Sequence, residues 1–179
     1  GICNANVTDY EQEPEACSCD PNDKLVAPKG CGENGNIDFD IPLKYLIRFE
    51  NTGVGAAHNI VIRDVLDLDL DINSFELLGS SHPVSTIQFF PNNVIFITFE
   101  GIELPPFTTS PEHNKGFVKF LIKPVINLPE GTKIINKAEI YFDTNPPVLT
   151  NTTLHTYRAK PYPYPSFVYE SICTNPKIF

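Results

Sequence analysis

The longest two-residue alternation in the chain runs from Ile134 to Phe142 and commits it to extended, layered structure. Ile134, Asn136, Ala138, Ile140 and Phe142 fall on one face, and Ile135, Lys137, Glu139 and Tyr141 on the other. A period of two puts alternate side chains on opposite sides of a strand, whereas a helix would scatter them around its axis. Pro129-Glu130-Gly131 supplies a turn before this strand. Asn145-Pro146-Pro147 supplies the break after it, because proline cannot donate to a ladder.

Similar segments recur at short intervals. Leu43, Tyr45, Ile47 and Phe49 alternate with Lys44, Arg48 and Glu50, Leu46 interrupts the polar face, and Asn51-Thr52-Gly53 closes the strand. A short strand at Leu25–Ala27 precedes it. Ile60 and Ile62 open another that ends near Asp64, and Phe75, Leu77 and Leu78 mark a further one. Val94–Phe99 and Phe117–Ile122 are continuous apolar runs, as expected for strands at a sheet centre or covered on both faces. Val148–Thr156 reads as a last, Thr-rich strand. Seven or eight short strands separated by turn signals, without an amphipathic helical pattern, predict an all-β fold, an immunoglobulin-like β-sandwich. Residues 1–19 are expected to form a Cys-containing N-terminal arm, 20–158 the sandwich, and 159–179 a Pro/Tyr-rich C-terminal tail. Pro161-Tyr162-Pro163-Tyr164-Pro165 excludes helix from that tail.

Charge and composition narrow the function. A net charge of −9 opposes binding to nucleic acid or to an anionic membrane surface, both of which need a surplus of Lys and Arg. No stretch reaches the roughly 20 apolar residues of a membrane helix. The lack of methionine, even at position 1, leads us to expect a processed product or a segment of something longer. Cys3, Cys17, Cys19 and Cys31 crowd one end and Cys173 stands near the other, none in a paired C-x-x-C arrangement. They are disulfide candidates, and they point to an oxidising, extracellular or cell-surface compartment. Five is odd, so one thiol stays free or joins another chain.

No motif for catalysis stands out. His58, His82, His113 and His155 are scattered, no G-x-S-x-G elbow or phosphate-cradling glycine loop is present, and the expectation is a chain that is not an enzyme. Asp64, Asp67, Asp69 and Asp71 invite a calcium reading. The EF-hand loop fails on them, with Ile72 where glycine is needed and Leu78 where the bidentate glutamate belongs. Alternation with Leu66, Leu68, Leu70 and Ile72 favours a solvated strand face instead. A looser inter-loop calcium site would draw on Asp20, Asn22, Asp23, Asp143 and Asn145, whose residue types turn chemistry already explains. Otherwise no cofactor is expected. Asn151, in a sequon with Thr153, is read as serving the fold.

An ordered series of motifs carries a family resemblance: Asp20-Pro21-Asn22-Asp23-Lys24, Glu50-Asn51-Thr52-Gly53, Asn59–Asp64, Ser81-His82-Pro83, Gly116–Phe120, then Ile140-Tyr141-Phe142-Asp143 with Asn145-Pro146-Pro147. Over roughly residues 19–157 the chain resembles a secreted, repeat-like domain of Bacteroidota of unknown function. The resemblance implies an immunoglobulin-like module of large surface proteins, often exported by the type IX route, with no assigned chemistry. The Cys-bearing arm and Pro-Tyr tail stand where neighbouring repeats and a sorting domain are expected.

Two functional readings follow. In the first, the chain is an extracellular structural subunit that associates with itself or with neighbouring domains of a surface protein. Phe167, Val168, Tyr169 and Ile172 would form a tail strand that adds to a neighbouring sheet, and Cys173 a covalent link. The tail folding back on its own domain is the alternative. In the second, the chain is a passive spacer or an adhesion module whose loops 51–57, 80–83 and 107–115 grip a glycan or protein, with or without calcium.

Overall fold

The computed structural model describes residues 22–38 and 41–158. Among them the order is β1 (Lys24–Ala27), β2 (Asn36–Asp38), β3 (Leu43–Glu50), β4 (Ala57–Val65), β5 (Leu70–Ser80) and β6 (Thr86–Phe90). There follow β7 (Val94–Leu104), β8 (Lys115–Pro124), β9 (Lys133–Asn136), β10 (Ala138–Phe142), β11 (Val148–Leu149) and β12 (Thr153–Arg158). No helix occurs among the described residues. Three sheets result, with strand orders β1-β3-β8-β5, β11-β10-β4-β7-β6 and β2-β12-β9. All pairings are antiparallel except β2 with β12.

The alternation read from the sequence becomes the sandwich interior. Leu43, Tyr45, Ile47 and Phe49 of β3 are buried, and so are Ile60 and Ile62 of β4, Ile95, Ile97 and Phe99 of β7, and Val118, Phe120 and Ile122 of β8. They form one cluster drawn from both large sheets, and the rings of Phe49 and Phe99 meet at 5.4 Å between centroids. Burying each such side chain stabilises the fold by about 1.5–3 kcal/mol. Val94–Phe99 sits at the interior of its sheet, as its apolar run predicts, between β4 and β6.

Three sequence expectations need correction. The long alternating run is not one strand: it divides at Lys137 into β9, paired with β12, and β10, paired with β4 and β11. Its inward face survives the division, because Ile134, Asn136, Ala138, Ile140 and Phe142 all remain buried. The final strand is divided too, since Thr150 Oγ1 accepts the Ala138 N–H at 2.9 Å and takes the chain out of the ladder. Asp67 and Asp69 do not lie on a strand face. Asp67 Oδ1 accepts the Asp69 N–H at 3.1 Å, its carbonyl accepts the Leu70 N–H at 3.0 Å, and a turn replaces the ladder. Leu66 and Leu70 are buried, whereas Leu68 between them is 67% exposed. Short β2 and edge strand β6 raise the count above seven or eight. At three residues β2 is too short to show a period, whereas Thr86-Ile87-Gln88-Phe89 of β6 does alternate.

A buried lysine, aspartate and asparagine between the sheets

Strand β1 lies at the edge of its sheet, and its register with β3 places Lys24 opposite Ile47, facing inward. The lysine side chain is completely buried, and its Nζ forms an ion pair with Asp64 Oδ2 from β4 in the facing sheet. Asp64 is equally buried. A charged pair without water contact is rare, and each partner loses hydration that only good local contacts offset. Burial accordingly pushes the Lys24 ammonium below its ordinary value and the Asp64 carboxyl above its own, each shift partly opposed by the partner's charge. Both shifts favour the neutral forms.

Asn136 completes the cluster. It ends β9, two residues before Ala138, which pairs directly with Asp64. Its amide is a neighbour of both the Asp64 carboxyl and the Tyr45 hydroxyl and influences the ionisation of each. Yet Asn136 Nδ2 and Oδ1, Asp64 Oδ1 and Tyr45 Oη are all buried without a well-formed hydrogen bond. Such atoms are costly in a protein interior. The Lys24 Nζ stands 4.5 Å from the centroid of the Tyr45 ring and 5.8 Å from that of Phe120, which close one side of the chamber. Burial, with the Asp64 charge second, drives the Tyr45 phenol upward, so it is neutral at every physiological pH.

The lysine is held by its backbone as well. Asn151 Oδ1 accepts the Lys24 N–H at 2.8 Å, and Asn151 Nδ2 donates to the Lys24 carbonyl at 3.0 Å. This is the role in the fold read for Asn151. Asn136 is fixed through its own carbonyl, which accepts from Thr153 Oγ1 at 3.2 Å. The alternation in the sequence puts Asn136 on the same face as Ile134, Ala138, Ile140 and Phe142. It did not single out Lys24 or Asp64 as interior groups.

The residues named from the sequence are placed elsewhere. Asn22 Oδ1 accepts the Glu50 N–H at 3.0 Å, and Asp23 makes a two-pronged pair with Arg48 at 2.7 and 2.5 Å. Asp143 Oδ1 accepts from the backbone of His58 and Asn59 at 3.0 and 2.7 Å, and Asn145 Nδ2 donates to the Phe142 carbonyl at 2.9 Å. Each serves a turn or strand end. Among the described residues no three His, Cys, Asp or Glu side chains gather as metal ligands. Asp20, Cys3, Cys17, Cys19, Cys173 and the tail residues Phe167, Val168, Tyr169 and Ile172 lie outside the described residues. Among the described residues a surface hollow of about 390 Å³ is lined by Arg63, Val65, Ile135, Lys137, Glu139 and Thr152. No described helix is long and apolar enough to cross a membrane.

Residues 20–156 match the model of a domain of unknown function, DUF7619, and the chain belongs to that family. No curated protein matches the sequence. Among solved structures, the chain is similar to BcpA, the major pilin subunit of Bacillus cereus, with TM-score 0.50 and 14% identity, covering 75% of this chain and 39% of the pilin. It is also similar to the major pilin SpaD of Corynebacterium diphtheriae, with TM-score 0.48 and 17% identity over 74% of this chain and 34% of SpaD. A collagen-binding domain from a Staphylococcus aureus adhesin gives TM-score 0.44 and 11% identity over 79% of this chain and 99% of that domain. The chain thus spans about two-fifths of the length of the BcpA structure. At these identities the likeness is one of fold.

Proposed function

We propose that this chain is a non-enzymatic structural module of a bacterial surface assembly. The observation that carries the reading is where the chain spends its polar chemistry. Lys24, Asp64 and Asn136 tie sheet to sheet inside a closed core, where no substrate reaches them, in a sandwich like that of a major pilin. Interior fastening serves a part that bears load. The five cysteines gathered toward the two ends of the sequence support an extracellular location, where disulfides persist. Export by the type IX route from a member of the Bacteroidota belongs to the same reading and rests on the motif series.

Self-association is the form of assembly proposed. The tail residues Phe167, Val168, Tyr169 and Ile172 would add as a strand to a neighbouring molecule. Strand β6, the last of its sheet among the described residues, presents Phe89 and Phe90 half exposed and is a suitable acceptor. Cys173 would then bond to a cysteine of the next subunit, and a head-to-tail contact of this kind grows into a filament. Light scattering of the native chain, repeated with reductant and mild denaturant, tests it. Large species that dissociate on release of the disulfides or the tail support assembly, and a monomer of 20.0 kDa under every condition contradicts it.

A further inference from the structure

We propose that Lys24 and Asn136 condense into an intramolecular isopeptide bond, with Asp64 as the catalytic proton carrier. The Asp64 carboxyl is the group that touches both partners: it is ion-paired to Lys24 Nζ and adjoins the Asn136 amide. Both polar atoms of that amide are buried and lack a satisfying hydrogen bond. A buried lysine and an unsatisfied carboxamide thus meet at one carboxyl that can take the lysine's proton, which brings a nucleophile and an electrophile to the same group in a chamber walled on one side by Tyr45 and Phe120.

The chemistry balances without a co-reactant. Asp64 first accepts a proton from the Lys24 ammonium, a transfer that desolvation of both groups favours. The free amine attacks Asn136 Cγ, and the protonated Asp64 donates to Asn136 Oδ1 as negative charge develops there. One proton of the attacking nitrogen is carried to Asn136 Nδ2. The Cγ–Nδ2 bond breaks as the Oδ1 proton returns to Asp64, the neutral Nζ–Cγ amide remains, and one ammonia leaves. No electrons are exchanged. The fold supplies the positioning: Asn151 holds the Lys24 backbone from both sides, and Thr153 holds Asn136. The product removes the buried ion pair and gives the orphaned amide a partner. It also joins β1 of one sheet to β9 of another.

The cross-link and self-assembly are separable, since a linked chain that stays monomeric would support one and contradict the other. The test is the mass of the full chain after reduction, alkylation and denaturation, followed by a tryptic map. A linked protein is lighter than its sequence by one ammonia. Trypsin then fails to cut after Lys24, and residues 1–29 are recovered joined to Ile134–Lys137. Asp64→Asn, which keeps the shape but removes the carboxyl, is expected to slow linkage roughly a hundredfold. Asn136→Ala abolishes it. Should either variant fail to fold, the wild-type map alone decides. A wild-type chain of unshifted mass that is cleaved freely after Lys24 overturns the proposal. So does an ammonia loss traced to ring closure at Asn34-Gly35, which joins no peptides.

Discussion

Lys24 and Asp64 come from strands in different sheets, 40 residues apart, and pair where neither side chain reaches solvent. Removing one partner of such a pair leaves the other buried without compensation, which costs about 3–5 kcal/mol. Lys24→Met is therefore expected to lower stability by at least that amount, read as a shift of the denaturant midpoint. Adding Asp64→Leu to it should recover part of the loss, because no bare charge is then left inside.

Asn151 tests whether the placement of Lys24 depends on its backbone clamp. Asn151→Ala removes two hydrogen bonds and leaves both β1 backbone groups at Lys24 unpartnered, a loss of about 1–3 kcal/mol. Equilibrium unfolding checks the stability, and the tryptic map should show slower joining of Lys24 to Asn136 in the same variant.

Gly116 meets Phe49 at the end of the β3–β8 ladder. A Cβ there would stand 2.3 Å from two carbons of the Phe49 ring and 2.9 Å from Ser81 Oγ. Phe49 is packed against Phe99 and cannot swing away freely. Gly116→Ala should cost about 1–3 kcal/mol in thermal or chemical unfolding, the usual penalty of overpacking.

The pH response has a defined sign at His155. Its ring is buried, Nε2 donates to the Pro28 carbonyl at 2.8 Å, and Nδ1 has no partner. Burial holds its pKa below the ordinary value of 6.5. Above that value both folded and unfolded chains keep the ring neutral. As pH falls below it, the unfolded chain takes up the proton first, so stability declines until the folded value is reached. Each unit of displacement corresponds to about 1.4 kcal/mol. Unfolding measured from pH 8 to pH 5, roughly the range in which histidine titrates, should show this decline in the native chain. His155→Asn should show less of it.

The inward face of the fold was readable because period-two alternation survives even where the strand changes sheets: Ile134 through Phe142 kept one buried side across the break at Lys137. The turn at Asp67 escaped because acidic and apolar residues alternate there as in a strand, and the deciding contacts, such as Asp67 Oδ2 with the Ile135 N–H at 3.0 Å, come from far along the chain. The cluster was half visible. Asn136 stands on the apolar face, but Lys24 follows a run of turn formers and Asp64 begins an acidic series, so neither is marked in the sequence as an interior group. Only pairing across the sandwich makes a lysine and an aspartate interior, and that relation has no local signature.

Single-molecule pulling from the two chain ends tests most directly whether this is a load-bearing module fastened from within. With Lys24 and Asn136 joined, residues 25–135 lie inside a covalent loop and add no length at any force that spares the backbone. The account predicts extension confined to the segments outside that loop, with full-length extension restored in Asn136→Ala. A native chain that unravels through residues 25–135 under load would contradict it.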